Sequence, residues 1–148
     1  MSTAFVAPEL KRAPTTEQRR RPVRLERTTR VLLVEDEPLT AQIFAMALER
    51  DGCVVEVARD GLQALRRFRD RRPSLVILDM SLPALSGVEV VRRLRGEGHR
   101  DLPILVVSGS PRSAVDLPDA EFGPGAWLQK PVKPRDLVRV ARALCGGE

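Results

Sequence analysis

Short runs of apolar residues alternate with longer segments of helical periodicity from residue 31 onward. Five runs each predict a β-strand: VLLV (31–34), CVVEVA (53–58), LVIL (75–78), ILVV (104–107) and AWLQ (126–129). Alternation of strands with helices indicates βαβ units, whose crossovers are right-handed. We therefore expect an α/β fold, a flavodoxin-like doubly wound five-stranded parallel sheet with strand order 2-1-3-4-5.

Four helices are predicted between and after these strands, and each has apolar residues at helical spacing. Pro38 suits the first turn of the first helix, and Asp51-Gly52 ends it. In the third helix, at 86–95, we expect the arginines to face solvent. The positions expected on the inward faces are Leu39, Ile43, Met46 and Ala47, then Leu62, Leu65 and Phe68, then Val88, Val91 and Leu94, and finally Leu137, Val138, Ala141 and Leu144.

The segment from Ser108 to Ala126 does not follow this pattern. It contains three prolines and three glycines, and proline removes a helical hydrogen bond and clashes with the preceding turn. We expect an irregular or shortened fourth helix, with at most a short turn around Asp119 to Phe122.

The formal net charge of +5 is confined to the N-terminus. Residues 1–30 contain eight basic and three acidic residues, so the rest of the chain is formally neutral. Three prolines and no sustained apolar period predict a disordered, Arg-rich arm at 1–29, followed by one domain at 30–146. Direct nucleic-acid binding is not expected of this domain, because such binding needs many uncompensated cationic contacts from one surface.

Composition also predicts where the protein resides. Cys53 and Cys145 lack the spacing of a zinc site or a disulfide framework, so we expect two reduced thiols. No apolar run approaches the ~18 residues of a membrane span, and the N-terminus has no secretory signal pattern. We expect a cytoplasmic protein without membrane association.

Acidic residues follow two of the predicted strands at the point where each ends. Glu35 and Asp36 follow the first strand, and Asp79 follows the third. Carboxylates gathered at one sheet edge repel one another unless a hard cation lies between them, and Mg²⁺ prefers oxygen ligands. Glu37 also lies here, but an acid at a helix start complements the helix dipole, and we favour that role for it. The sequence therefore predicts a Mg²⁺ site.

Ser108 ends the fourth strand and Lys130 follows the fifth. Of the 25 basic residues only Lys11, Lys130 and Lys133 are lysines, so Lys130 stands out in an arginine-rich chain. A compact ammonium fits one phosphoryl oxygen in a narrow site better than a planar guanidinium does. With a hydroxyl and a cation nearby, this edge would suit a phosphoryl group, and Asp79 is the candidate nucleophile.

Four segments together resemble the receiver domain of bacterial two-component response regulators, over about residues 31–146. They are VLLVEDEP (31–38), LVILDMSLPALSG (75–87), ILVVSGS (104–110) and WLQKPV (127–132). The resemblance implies that Asp79 is the phosphoacceptor for a sensor histidine kinase or phosphotransfer protein. It further implies Mg²⁺ ligation by Asp36, Asp79 and the backbone carbonyl of Ser81, with Glu35 contacting the ion through water.

The same resemblance implies a switch. Ser108 would move its hydroxyl onto the phosphoryl group, Lys130 would pair with that group, and Trp127 would be the switching aromatic residue. It also implies a cis peptide at Lys130-Pro131. Ser108 replaces the commoner Thr but keeps the hydroxyl, while the Pro/Gly-rich stretch after it weakens the fourth-helix surface.

Three functions remain open from the sequence. We favour a single-domain response regulator, not an enzyme, which signals through contacts with a downstream protein target, since the chain ends at Glu148 shortly after the fifth helix. An adaptor that uses the receiver fold and basic arm to bind a partner or nucleic acid is the alternative. An aspartyl-phosphate phosphatase is disfavoured, because Ser81 stands where the usual signature needs a second Asp.

Overall fold

The computed structural model of the protein describes residues 29–146. Five parallel strands form one sheet in the order β2-β1-β3-β4-β5, as predicted. The strands are β1 (Arg30–Val34), β2 (Val54–Ala58), β3 (Leu75–Leu78), β4 (Ile104–Ser108) and β5 (Gly125–Gln129). The helices are α1 (Pro38–Arg50), α2 (Gly61–Asp70), α3 (Gly87–Gly96), α4 (Asp119–Phe122) and α5 (Pro134–Leu144). Apart from its last residue, the predicted arm lies outside the described residues.

Two apolar cores lie on opposite faces of the sheet. Because successive strand side chains point to opposite faces, Leu32 and Val34 pack towards α2 and α3, while Val31 and Leu33 pack towards α1 and α5. Every residue of β3 and β4 is buried, as expected for central strands covered on both faces. This double burial holds the ends of β1, β3 and β4 at fixed positions along one edge.

The inward face predicted for α1 was wrong. The buried residues are Ala41, Phe44 and Leu48, whereas Leu39, Ile43 and Met46 are exposed, at 65%, 51% and 47% respectively. The helix has two apolar stripes at helical spacing, and packing selects the one that carries the phenyl ring. An apolar stripe of α1 is therefore left in solvent.

The predictions for α2 and α3 need two smaller corrections. Leu62 is exposed, and Ala64 takes its expected place beside the buried Leu65 and Phe68. In α3, Arg95 is buried at 7% exposure instead of facing solvent. Its guanidinium lies beneath the irregular segment that follows β4, where it donates to backbone carbonyls.

The segment between β4 and β5 is irregular, as predicted. A 3₁₀ turn at Arg112–Ala114 and the single turn of α4 are its only helical parts. Leu117 and Phe122 anchor it by packing into the core shared with α2 and α3. Prolines 111, 118 and 124 prevent a longer helix.

No helix within residues 29–146 is both long and apolar enough to cross a lipid bilayer.

Candidate functional site

Three carboxylates meet at the edge formed by the ends of β1 and β3. Oxygens of Glu35, Asp36 and Asp79 all lie within 4.8 Å of one another. Glu35 and Asp79 are buried, and Asp36 is exposed. Adjacent parallel strands end at the same edge, so the topology itself produces this cluster.

Backbone N–H groups orient the two buried carboxylates. The N–H of Ser81 donates to Asp79 Oδ1 at 2.9 Å, and the N–H of Glu37 donates to Glu35 Oε2 at 3.2 Å. Each hydrogen bond joins residues two positions apart, so the backbone just after each strand orients the carboxylate at the end of that strand. The role expected of the Ser81 carbonyl as a metal ligand stays a prediction.

Lys130 is the cationic side of the site. Its Nζ lies 3.3 Å from Glu35 Oε1 and 3.4 Å from Asp79 Oδ2. Burial alone would lower the pKa of this ammonium, but the charges of Asp79 and Glu35 outweigh that effect, so the pKa is raised. Lys130 is therefore cationic at neutral pH and offsets part of the negative charge.

Burial acts on the pKa of Glu35 in the direction opposite to its effect on Lys130. Its burial raises the pKa above the ordinary 4.5, and the charge of Asp79 adds to this, although the Glu37 N–H and Lys130 act against it. Burial and the neighbouring charge of Asp79 thus disfavour the ionised form of Glu35.

The three carboxylates fit a divalent cation. Hard oxygen donors within 4.8 Å of one another are of the kind that Mg²⁺ takes, and the exposed Asp36 leaves one side of the cluster open to the waters that this ion retains.

Glu37 is not part of this cluster. Its carboxylate caps α1, accepting from the N–H of Thr40 at 2.8 Å, and hydrogen bonds from Thr40 lower its pKa. The favoured helix-start role of Glu37 is consistent with this geometry.

Ser108 ends β4 and is 1% exposed. Its Oγ accepts from the N–H of Ser110 at 3.1 Å, while its carbonyl accepts from the N–H of Lys130 at 2.7 Å. The Lys130-Pro131 peptide is cis, as expected. Ser108 and Lys130 are thus neighbours through the backbone pairing of β4 and β5.

Trp127 joins β5 to the loop that follows Ser108. Its indole N–H donates to the carbonyl of Ser110 at 3.2 Å, and its ring meets that of Phe122 edge-on, with centroids 6.2 Å apart. The guanidinium of Arg112 lies over both rings, 5.2 Å from the Trp127 centroid and 5.5 Å from that of Phe122. A change at the loop can therefore reach β5, an edge strand of the sheet, through this group.

Sequence reasoning missed Arg112 and a glycine. Gly87 opens α3 so close to the site that a Cβ there would lie 2.6 Å from the Cα of Met80 and 2.7 Å from the Asp79 carbonyl oxygen. The pair Ser86-Gly87, a helix cap followed by a residue without a side chain, was the available signal for this contact. Arg112 had no comparable signal, because its partners are the rings of Phe122 and Trp127, a backbone carbonyl and one exposed carboxylate, none of which follows a recognisable spacing.

Comparison with known proteins gives a consistent family. Residues 31–142 match the model of the response regulator receiver domain. The chain is 37% identical over 125 residues to the alkaline phosphatase synthesis transcriptional regulatory protein SphR of Synechococcus elongatus, covering 78% of this chain and 48% of that protein. It is 35% identical over 114 residues to the DNA-binding response regulator MtrA of Mycolicibacterium smegmatis, covering 77% and 49%. The chain spans about half the length of the curated relatives it matches.

Solved structures share the fold. A CheY-like response regulator receiver domain protein from Methanospirillum hungatei superposes with a TM-score of 0.74 at 24% identity, covering 80% of this chain and 94% of that one. The chemotaxis response regulator CheY4 of Vibrio cholerae gives a TM-score of 0.72 at 27% identity, covering 79% and 98%. With the family match over most of the chain, the acidic cluster at the strand ends and the predicted strand order, this protein belongs to the response regulator receiver domain family.

Proposed function

We propose that this receiver domain accepts a phosphoryl group on Asp79 from the phosphohistidine of a sensor histidine kinase or a phosphotransfer protein. The observation that carries the proposal is the position of Asp79, a buried carboxylate between two other acids and one ammonium. A nucleophile for phosphoryl transfer needs positive charge around the oxygens of the incoming group, and this edge can supply it from two sides.

In the proposed transfer a carboxylate oxygen of Asp79 attacks phosphorus. The new P–O bond forms as the P–N bond to the donor histidine breaks, and the imidazole leaves with that electron pair. The product is an aspartyl phosphate, an acyl phosphate. Lys130, already 3.4 Å from Asp79 Oδ2, would pair with the phosphoryl oxygens.

The acidic cluster would hold Mg²⁺ through Asp36, Asp79 and the carbonyl of Ser81, with Glu35 acting through water. When bound, the ion neutralises charge on the phosphoryl oxygens. The protein's own part is to orient the acids, and the N–H bonds to Asp79 and Glu35 support that role.

We further infer that the signal leaves through protein contacts near β5. Movement of the Ser108 hydroxyl onto the phosphoryl group would break its bond from Ser110, whose carbonyl holds the Trp127 indole. The surface around Trp127 would then change for a downstream protein. The DNA binding named in one of the relatives is not part of this proposal, because the chain spans about half of that protein's length.

The direct test is phosphorylation by a small donor. Purified protein mixed with Mg²⁺ and ³²P-labelled acetyl phosphate should be labelled, and the label should be acid-stable and lost in alkali, as for an acyl phosphate. Asp79→Asn should abolish labelling, and EDTA should prevent it. Asp70→Asn, an exposed acid at the end of α2, is the matched control and should be labelled normally. Equal labelling of Asp79→Asn and the unmodified protein would refute the proposal.

A further inference from the structure

One N–H of the buried Arg95 guanidinium has no acceptor within residues 29–146. A guanidinium carries five N–H donors, and backbone carbonyls before and after β4 take four of them: the one on Nε, both on NH1 and one on NH2. Arg95 is 7% exposed and forms no ion pair with any described residue. Buried charges are normally paired, so this guanidinium lacks a counter-charge.

A cleft of about 310 Å³ borders this guanidinium, between the end of α3 and α4. Arg92 and Arg100 line it together with Arg95. Apart from one carboxylate, the other described lining residues are small: Gly96, Ala120 and Gly123. A larger residue could not replace Gly123 without displacement, since a Cβ there would lie 2.9 Å from Arg95 Nε. Among these residues no large apolar side chain offers a surface to an apolar ligand, so the cleft suits a small polar one.

The lining carries more positive than negative charge. Glu121 is its carboxylate, and it lies 2.9 Å from Arg92 Nε, whose charge it neutralises. Arg100 is exposed and, like Arg95, forms no ion pair within the part of the chain that the structure describes. Burial lowers the pKa of Arg95 and the charge of Asp101 opposes this in part, but Asp101 does not line the cleft. Two guanidinium charges are therefore left for a ligand.

We propose that this cleft binds the phosphoryl group of a small phosphorylated compound, a phosphate monoester. At neutral pH such a group carries a charge of about −1.5 to −2, which matches the two remaining guanidinium charges. Its three terminal oxygens can accept from the remaining N–H of Arg95 and from the planar fork of Arg100. A volume of about 310 Å³ is near the lower end of the range for small-molecule sites, roughly 300–1,000 Å³, so the compound has few atoms besides its phosphoryl group.

The cleft is separate from the acidic edge of the sheet. Gly87, at the start of α3, lies against the residues that follow β3, whereas Gly96, nine residues further along the same helix, lines the cleft. At 1.5 Å per residue this separation is about 14 Å. A phosphoryl group bound here would join the end of α3 to α4 and add to the contacts that hold the irregular segment. Binding at this cleft goes beyond phosphoryl transfer to Asp79 and does not depend on it.

The charges around the cleft disfavour a larger anion. A nucleic acid carries one charge on each phosphate, and the phosphates on either side of a bound one would be repelled by Glu121 and Asp101. A single carboxylate carries only about half of the charge that the two guanidinium groups can balance. A compact dianion with three terminal oxygens meets neither obstacle.

Isothermal titration calorimetry of the full chain with glycerol 3-phosphate is the direct test, in low salt and in EDTA so that no metal ion recruits phosphate to the acidic edge. Binding should be saturable, with a Kd of about 1 mM or below. Glycerol should not bind, and malonate, a dianion without a phosphoryl group, should bind about 10-fold or more weakly. Glycerol 3-phosphate should also raise Tm, because it binds the folded chain in preference to the unfolded one.

Charge variants assign the binding to the cleft. Arg100→Gln should weaken it about 10-fold, whereas Arg66→Gln, which removes another exposed arginine on α2, should leave it unchanged. Glu121→Gln removes the carboxylate of the lining and should tighten binding about 3-fold or more, and its control Glu49→Gln, an exposed acid on α1, should not. Circular dichroism checks folding. If Arg100→Gln is unfolded, Arg100→Lys replaces it and should weaken binding about 3-fold, because it keeps the charge but not the fork.

Three results would overturn the inference: no saturable binding of glycerol 3-phosphate, equal weakening by Arg100→Gln and Arg66→Gln, and binding of malonate as tight as that of glycerol 3-phosphate. A phosphoserine peptide or a short DNA duplex that binds more tightly than glycerol 3-phosphate, and loses its binding in Arg100→Gln, would assign the cleft to a macromolecule and contradict it as well. Labelling by acetyl phosphate is measured on the same preparations, so failure of the cleft to bind and failure of Asp79 to be labelled are separate outcomes.

Discussion

Arg95 offers the sharpest test of how the loop before β4 and the irregular segment after β4 are held. Its Nε donates to the carbonyl of Phe122 at 2.8 Å, and its NH1 donates to the carbonyls of His99 and Leu102 at 2.6 and 2.7 Å. NH2 donates to the carbonyl of Pro124 at 3.1 Å. Within the described residues no carboxylate forms an ion pair with this guanidinium, and burial lowers its pKa. Arg95 thus binds backbone rather than an acid.

Replacement by methionine keeps much of the apolar stem but removes every donor. The carbonyl of Pro124 also accepts from the N–H of Ile104, so it keeps a hydrogen bond in the variant. The other three carbonyls, those of Phe122, His99 and Leu102, lose the donor that Arg95 supplies. Hydrogen bonds from a charged donor contribute about 1.5–3 kcal/mol each, and the desolvation of an unpaired guanidinium offsets part of their sum. We expect Arg95→Met to lower the free energy of unfolding by about 3 kcal/mol, or Tm by about 10 °C.

Urea denaturation followed by circular dichroism and by the fluorescence of Trp127, the only tryptophan, measures the change. Arg95→Lys should recover only part of the loss, since one ammonium cannot reach carbonyls on several sides. Arg93→Met, which removes an exposed ion pair with Glu89 on the same helix, should cost less than about 0.5 kcal/mol. Equal effects of Arg95→Met and Arg93→Met would show that these carbonyl contacts do not hold the two connections that flank β4.

Three further predictions concern the site. Gly87→Ala should cost about 2 kcal/mol or more in urea denaturation, because its Cβ would lie 2.6 Å from a main-chain Cα after β3, whereas Gly96→Ala, with open space around it, should be neutral or stabilising. Burial raises the pKa of Glu35, so ionising it in the fold costs stability once the pH rises above the ordinary 4.5. In EDTA, Glu35→Gln should therefore be more stable than the unmodified protein at pH 7, and the difference should vanish below pH 4.5; a constant difference would contradict this. Labelling of the unmodified protein by acetyl phosphate should change the fluorescence of Trp127. Ser108→Ala should still be labelled but should lose that fluorescence change, and an unaltered change would exclude Ser108 as the link between Asp79 and Trp127.

The strands were predictable because each contains a short apolar run. The acidic edge was predictable because its carboxylates directly follow two of those runs. A four-residue run such as LVIL between turn-forming residues is typical of a strand covered on both faces, and the parallel order then brings Glu35, Asp36 and Asp79 to one edge. The face of α1 was not predictable in this way. Both of its stripes have helical spacing, and only the fit of Phe44 against the sheet decides between them.

The positions of Arg95 and Arg112 could not be read from the sequence for a related reason. Arginine beside other arginines on a helix usually faces solvent, and nothing in the run RRLR distinguishes Arg95 from its neighbours. Its partners are backbone carbonyls, which every residue has. The need for a buried donor arises only where the loop before β4 and the proline-broken segment after β4 both place backbone carbonyls around the end of α3.

These contacts divide the segment after Ser108 into two halves of different strength. The half nearest the site, residues 109–116, is held by exposed or half-buried groups, above all the ion pair between Arg112 and Asp119, and such pairs contribute about 0–1 kcal/mol. The far half, from residue 117 onward, is held by the burial of Leu117 and Phe122 and by the buried guanidinium of Arg95. In the proposed switch, a phosphoryl group on Asp79 would act on the weak half first, because Ser108 begins it and the carbonyl of Ser110 holds Trp127 there. The strong half would then be the fixed end against which that loop moves, and on this proposal the irregular segment would support a switch although it lacks a full helix.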